Sequence, residues 1–330
     1  MRRLLICMAG LLAGLAAHAA EPLVVYSAQK EPSIRPLLDR YTAETGVEVQ
    51  LLVDQGPVLV ERLAAEGENT RADLLLTVDA GNLWLAAERG LLATVDSPTL
   101  VARVPANLRD AQGRWFAISR RVRGIVYATA RVQPAALSTY AALAGPDWKG
   151  RLCLRTSKNV YNQSLIATRI ARMGEADAEA MVRGWAANLA AAPLADDTLT
   201  AQAVAGGECD AGVVNMYYVA RLKRADPALP IAMFWPDQDG AGVHQNIAGM
   251  GVARHAKNPD GARALLEWIT DVPAQTELSR LNLEYPVNAQ ATTDPLLVGF
   301  GTFKADDVDL AETGRRQPEA VRLMDRAGWR

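Results

Sequence analysis

Leu23 to Tyr26 form a short apolar run, and Ile34, Leu37, Leu38 and Tyr41 follow at spacings of three and four. That spacing marks one face of a helix, which Gly46 closes. Val47 to Val53 alternates as a strand does. Val58 to Ala65 is then helical, Ala72 to Val78 a strand, and Leu83 to Arg89 a helix stopped by Gly90. Strands alternating with helices of this length predict a parallel sheet covered on both faces, with any ligand beyond the carboxyl ends of the strands.

Arg123 to Ala130 is an extended run, after which the rhythm restarts at Leu152-Cys153-Leu154. Helical patterns cover Asn162 to Met173 and Ala178 to Leu189, and a strand covers Ala211 to Val214, so a second sheet is expected. Gly242 to Val252 is a glycine-rich extended segment, and the C-terminal third holds two or three more amphipathic helices. The 330 residues exceed what one hydrophobic core usually serves. The simplest arrangement is two lobes joined by two extended crossings. The first is expected to comprise 21–123 and about 244–290, the second 124–243 and about 291–330.

The amino terminus changes the picture of where the chain works. Met1-Arg2-Arg3, an apolar stretch from Leu4 to Ala17, and Ala17-His18-Ala19 have the order of a cleavable signal peptide covering residues 1–20, with a mature chain beginning near Ala20 or Glu21. Cys7 lies inside the apolar stretch rather than after it, which argues against lipid attachment. The expected location is the periplasm. With 35 basic and 37 acidic residues the formal charge is −2, and cleavage removes two arginines and no acid. Nucleic acid is therefore not an expected partner. Cys153 and Cys209 remain as a pair in an oxidising compartment, which reads as one disulfide, with two buried thiols as the alternative.

Familiar catalytic constellations are missing. Of three histidines, His18 lies in the signal, and His244 and His255 lack a zinc-ligand spacing; GxxxxGK[ST], GxSxG and CxxC are absent. A binding protein is expected rather than an enzyme. Tyrosine placement carries the chemistry instead. Tyr161 follows Cys153 by the same interval at which Tyr217, the first of the pair Tyr217-Tyr218, follows Cys209. If the cysteines are bonded on neighbouring parallel strands, their Cα atoms lie about 6 Å apart, and the segments leaving those strands emerge side by side. The three phenols would then meet at the carboxyl edge of the second lobe. Single tyrosines more often fill core. An adjacent pair points at one ligand only from a strand-to-helix turn. Phenolates are hard anionic donors that suit a small, highly charged cation, and three of them ionise together near neutral pH only against a strong positive charge. A trivalent metal supplies it.

Together the following segments resemble the ferric-iron-binding periplasmic proteins of ABC importers: Val25-Tyr26-Ser27-Ala28-Gln29-Lys30-Glu31, Ala72 to Gly81, Ser119-Arg120-Arg121-Val122-Arg123, the Tyr161 segment, Asn215-Met216-Tyr217-Tyr218 and Glu284-Tyr285-Pro286-Val287-Asn288. The resemblance spans nearly the whole chain after residue 20. It implies an α/β, two-lobed type II periplasmic-binding-protein fold with hinge crossovers, Fe(III) clamped between the lobes, and delivery by a monomer to an inner-membrane ABC permease. In the tyrosine-rich branch of that family the ligands match Tyr161, Tyr217 and Tyr218. An arginine matching Arg121 holds a bound anion such as carbonate, with Arg123 and Asn215 as further anion-side candidates; Asp79, at the loop after the third strand, is a candidate for the metal or its anion, with an ordinary helix cap as the alternative. Where relatives often carry histidine or histidine-tyrosine, this chain has Lys30, Glu31 and Pro32. Glu31 is the hard-oxygen candidate from the first lobe, with pairing to Lys30 or Arg35 as the alternative. The competing readings are a binding protein for another small solute, such as a polyamine, thiamine or an oxyanion, and a periplasmic metal-dependent hydrolase.

Overall fold

The computed structural model describes residues 21–330; the signal-peptide reading falls on residues 1–20, outside the described residues. In chain order the strands are β1 (Leu23–Ser27), β2 (Val49–Val53), β3 (Leu74–Thr77), β4 (Phe116–Ala128), β5 (Leu152–Cys153), β6 (Ala211–Asn215), β7 (Ile231–Phe234) and β8 (Gln245–Val252). The first four α-helices are α1 (Glu31–Thr45), α2 (Gly56–Glu66), α3 (Ala80–Glu88) and α4 (Pro98–Arg103). After β5 come α5 (Val160–Met173), α6 (Glu175–Ala187), α7 (Asp197–Gly206) and α8 (Met216–Ala225). The chain ends with α9 (Pro259–Ile269), α10 (Val272–Asn282), α11 (Pro295–Val298) and α12 (Leu310–Arg326).

Local signals explain most of these boundaries. Helix α1 buries Ile34, Leu37, Leu38 and Tyr41 and stops at Gly46, whose backbone is left-handed (φ 75°) and whose N–H donates to the Thr42 carbonyl. Asn159 caps α5 by accepting from the Tyr161 N–H at 2.9 Å, and Asp79 caps α3 by accepting from the Gly81 N–H at 2.8 Å.

Two strand groups share one long strand. β1 pairs in parallel with β2 and β3, and β3 pairs antiparallel with β8. The first half of β4 then runs antiparallel to β8, while its second half runs antiparallel to β6 and β7. β5 lies parallel to β6. The order is β2-β1-β3-β8-β4-β6-β5, a continuous hydrogen-bonded path. Alternation alone predicts two separate parallel sheets. The sheet is instead mixed and joined, because β4 begins at Phe116, seven residues before the extended run read from the sequence, and serves both groups. Phe116-Ala117-Ile118 are apolar and buried, a pattern that does not by itself separate strand from helix.

Each strand group has its own core. One gathers residues from Leu23 to Ile118 with others from Ile247 to Leu278 and Val287; the other gathers residues from Val122 to Val243 with Leu283, Tyr285, Leu297, Leu323 of α12 and Trp329 just beyond it. A smaller cluster with Val126, Val204, Val214 and Ile231 surrounds Cys153 and Cys209. These cysteines are bonded, with Cα atoms 5.9 Å apart and a sequence separation of 56. Closing a loop of that length contributes roughly 4 kcal/mol by chain entropy. Cys209 lies just before β6 rather than on it. The bond therefore ties the end of β5 to the approach of β6, not two paired strand residues.

Candidate metal centre

The element following β5 and the element following β6 both deliver tyrosines to one cleft. Tyr161 sits in the first turn of α5, and Tyr217 and Tyr218 sit in the first turn of α8. Neighbours on a strand face opposite ways, whereas neighbours on a helix diverge by about 100°. Starting α8 at Met216 thus lets both rings face one space; their centroids are 4.4 Å apart. The space is a cleft of about 180 Å³ lined by Ala28, Gln29, Lys30, Ser33 and Val78 from one side, by Tyr161, Tyr217, Tyr218 and Arg221 from the other, and by Arg121 and Glu284 between them.

Arginines frame the phenols. Arg121 lies 5.8 Å from the Tyr217 ring centroid, Arg155 lies 5.8 Å from that of Tyr161, and Arg221 lies 4.9 and 5.9 Å from those of Tyr217 and Tyr218. Burial raises the Tyr217 phenol well above the ordinary tyrosine value, and the nearby Tyr161 and Tyr218 add to the shift. Tyr218 is raised as well, first by burial and then by Tyr161 and Asp197. Both phenols are therefore protonated at neutral pH until a strong positive charge displaces the protons. Burial works against the charge of Arg121, yet Glu284, Tyr161 and Tyr217 outweigh it and raise its pKa.

The other sequence candidates divide. Arg121 reaches the cleft, but its guanidinium is already engaged: one nitrogen pairs with Glu284 Oε1 at 3.0 Å and another donates to the Val78 carbonyl at 3.2 Å, leaving its buried Nε without a partner among the described residues. Asn215 touches the site indirectly. Its side-chain amide donates to the Tyr217 hydroxyl oxygen at 3.2 Å, and its backbone N–H donates to Asp197.

Arg123 is not in the cleft. It shares a strand face with Arg121, but Asp197 at 2.7 Å, Asn162 at 2.6 Å and the Val213 carbonyl at 2.9 Å draw it into the second core. Glu31 is also outside the lining. It is exposed and pairs with Arg35 at 3.0 Å, because it opens α1 and the i,i+4 arginine lies on its own helix face.

Asp79 is buried beside the cleft, not in its lining. Its carboxylate accepts from Ser164 of α5, from Asn246 of β8 at 2.7 Å and from Gln317 of α12 at 2.7 Å. It fastens the start of α3 to the helix that carries Tyr161. Asp79→Ala leaves the buried Ser164 and Asn246, the half-buried Gln317 and a helix cap without their acceptor, and the expected cost is roughly 3 kcal/mol of stability. Urea unfolding checks this, with the affinity of the folded variant for a metal in the cleft expected to change little; the reverse pattern would mark Asp79 as a ligand.

The sequence alone marks none of Gln29, Lys30, Ser33, Arg221 and Glu284 as a ligand-binding residue, although all five line the cleft. Glu284 was visible only as part of a common segment, and Arg221 one helical turn after Tyr217 offered a signal at i+4. Among the described residues, no group of three or more His, Cys, Asp or Glu could hold a metal ion. Tyr161, Tyr217 and Tyr218 are hard-oxygen side chains that line the cleft together.

Residues 37–305 match the family model described as bacterial extracellular solute-binding protein. The chain is 39% identical to "Iron uptake protein A1" of Synechocystis sp. over 93% of this chain and 87% of that protein. It is 30% identical to the "Fe(3+)-binding periplasmic protein" of Serratia marcescens over 95% and 92%. Among solved structures, Trichodesmium FutA in complex with iron and citrate ligands superposes with a TM-score of 0.88 at 42% identity, covering 94% of this chain and all of that one.

Proposed function

The chain belongs to the bacterial extracellular solute-binding proteins, and within them to the ferric-iron-binding periplasmic proteins; from that premise we propose that it captures Fe(III) in the cleft and delivers it to an ABC importer. It works by binding and conformational change, not by catalysis. The observation that carries this reading is the convergence of three phenols, from helices that follow β5 and β6, on one small cleft. Tyr161, Tyr217 and Tyr218 are the metal ligands in this proposal. The two strand groups act as lobes, 21–123 with about 244–290 and 124–243 with about 291–330, that close about the shared strands. The mature chain starts after residue 20, works in the periplasm as a monomer and hands its cargo to an inner-membrane permease.

Arg121 fits a supporting role beside the iron, and carbonate is the anion we assign to it. Its pairing with Glu284 leaves less of the guanidinium fork free than an isolated arginine would offer, so the anion contacts the edge that Glu284 does not use. Lysine keeps the charge and loses the planar geometry. Arg121→Lys is expected to weaken iron binding about 10-fold in bicarbonate buffer, and less in buffer freed of bicarbonate. Equal affinities for variant and parent in both buffers would place the anion elsewhere.

The test of the whole reading is absorbance of the purified protein with and without ferric citrate, paired with metal analysis. A red to purple phenolate-to-iron band is expected at one iron per chain. Lys30, Arg121 and Arg221 in the lining favour a second reading, an oxyanion site. A colourless protein that binds an oxyanion and no iron would select it.

A further inference from the structure

The first lobe meets the cleft through Ala28, Gln29, Lys30, Ser33 and Val78, none of which offers a carboxylate, phenol or imidazole. Closure that depends on cargo nevertheless needs some contact from this side that differs between the empty and loaded states. Gln29 supplies an unusual one. It is 5% exposed, and its Oε1 is buried with no hydrogen-bond partner among the described residues. Folded proteins keep few such orphan acceptors.

The loop that carries Gln29 is pinned at the carboxyl end of β1. The Ser27 hydroxyl donates to the Gln29 carbonyl at 2.8 Å, the Gln29 N–H donates back to the same hydroxyl oxygen at 3.2 Å, and the Ala28 N–H donates to the Leu76 carbonyl at 2.8 Å. Nε2 lies 3.5 Å from the Ser33 carbonyl, at the long limit of a hydrogen bond. Reversing the amide would bring two acceptors together. The oxygen is therefore the unpartnered end, and its neighbour Lys30 can only donate.

Three phenolate oxygens alone would leave the coordination shell of a ferric ion incomplete. A water or hydroxide bound there has its O–H strongly polarised by the metal, which makes it a strong donor to a neutral amide oxygen. We infer that Gln29 Oε1 accepts a hydrogen bond from an O–H group coordinated to the bound ferric ion, and that this is the first lobe's contact with the loaded cleft. The inference rests on the ferric-tyrosinate reading. Gln29 acts as a positioning residue and leaves the metal's direct ligands unchanged.

The experiment loads parent, Gln29→Leu and Gln29→Glu with iron from ferric nitrilotriacetate and measures affinity by competition with citrate, the visible band, and thermal stability without metal. Gln29→Leu is expected to bind iron 10- to 100-fold more weakly, as loss of an outer-shell partner does, with the band in place. Its metal-free stability is expected to equal or exceed the parent's, since an orphan acceptor has been removed. That opposition of affinity and stability is what a purely structural glutamine would not give. Gln29→Glu keeps an acceptor and is expected to bind at least as tightly as the parent. Parent-like affinity in Gln29→Leu overturns the inference, as does a Gln29→Glu variant as weak as Gln29→Leu, which would mean that the amide N–H faces the cargo. A shifted band in Gln29→Leu overturns it in favour of direct ligation. A colourless parent removes the ferric-tyrosinate reading itself, whereas a coloured parent with an unaffected Gln29→Leu removes only this inference.

Discussion

Tyr217→Phe and Tyr218→Phe are each expected to fold as the parent does and to lose more than about 100-fold in iron affinity, beyond the 10- to 100-fold that outer-shell partners contribute. Phenylalanine removes only the oxygen. The ring of Tyr217 is nearly fully buried and packs in the second core, so the apolar contacts that hold α8 survive the change. The visible band should fade or shift for each position, and the same holds for Tyr161→Phe. Acid should act in the same direction. Because Tyr217 and Tyr218 both hold their protons above the ordinary tyrosine range, forming two phenolates releases two protons, and affinity from these two groups falls by about two log units for each pH unit of acidification. Tyr217→Phe removes one of those protons and should flatten the slope by about one. Competition titrations with citrate at several pH values measure both effects. Parent-like colour and affinity in both single variants would leave a binding protein without a ferric-tyrosinate site.

Arg123→Met is expected to be the most destabilising single substitution of a charged residue, at about 3–5 kcal/mol, because it strands a carboxylate in the second core. Asp197 is 0% exposed. Besides Arg123 at 2.7 Å it has the Asn215 N–H at 2.9 Å and Arg155 at 3.8 Å, which cannot replace a direct guanidinium partner. The damage should reach the site, since Asn215 leads into α8 and its side chain donates to Tyr217. Chemical denaturation followed by tryptophan fluorescence and far-ultraviolet circular dichroism reports the loss. Arg123→Met with Asp197→Leu is expected to recover most of it, because removing both charges also removes the desolvation cost of each. A single variant within 1 kcal/mol of the parent would mean that water or Arg155 compensates Asp197 in full.

Features set by short stretches of chain were legible without coordinates. Helix α1 follows from Ile34, Leu37, Leu38 and Tyr41 with Gly46 behind them, and α5, α6 and β6 lie within a few residues of their patterns. Such periodicity decides which face a residue presents, because burying an apolar stripe is the strongest local demand on an amphipathic segment. The equal cysteine-to-tyrosine intervals carried further. Given the Cys153–Cys209 bond, read from the pair left in an oxidising compartment, they anticipated the meeting of Tyr161 with Tyr217 and Tyr218, because a covalent link fixes where the following segments begin.

Tertiary structure decided what each polar side chain does once it is there. Arg121 and Arg123 stand two apart on one strand face, and no local rule separates them. Glu284, from 163 positions further along the chain, keeps the first at the cleft, and Asp197 and Asn162 draw the second into the core. Glu31 had the harder oxygen, but the turn into α1 points it toward Arg35 and leaves the cleft to Gln29 and Lys30. Asp79 reads as a helix cap, and it is one; its bonds to Ser164, Asn246 and Gln317 come from elements that only folding brings together. The sequence by itself determined most of the elements, the pairing of the two cysteines and the three candidate phenols, because these follow from periodicity and from one covalent constraint. The partner of each buried charge was left to the fold, because a charge inside a protein takes the opposite charge or dipole that packing places within about 3 Å, however distant in the chain.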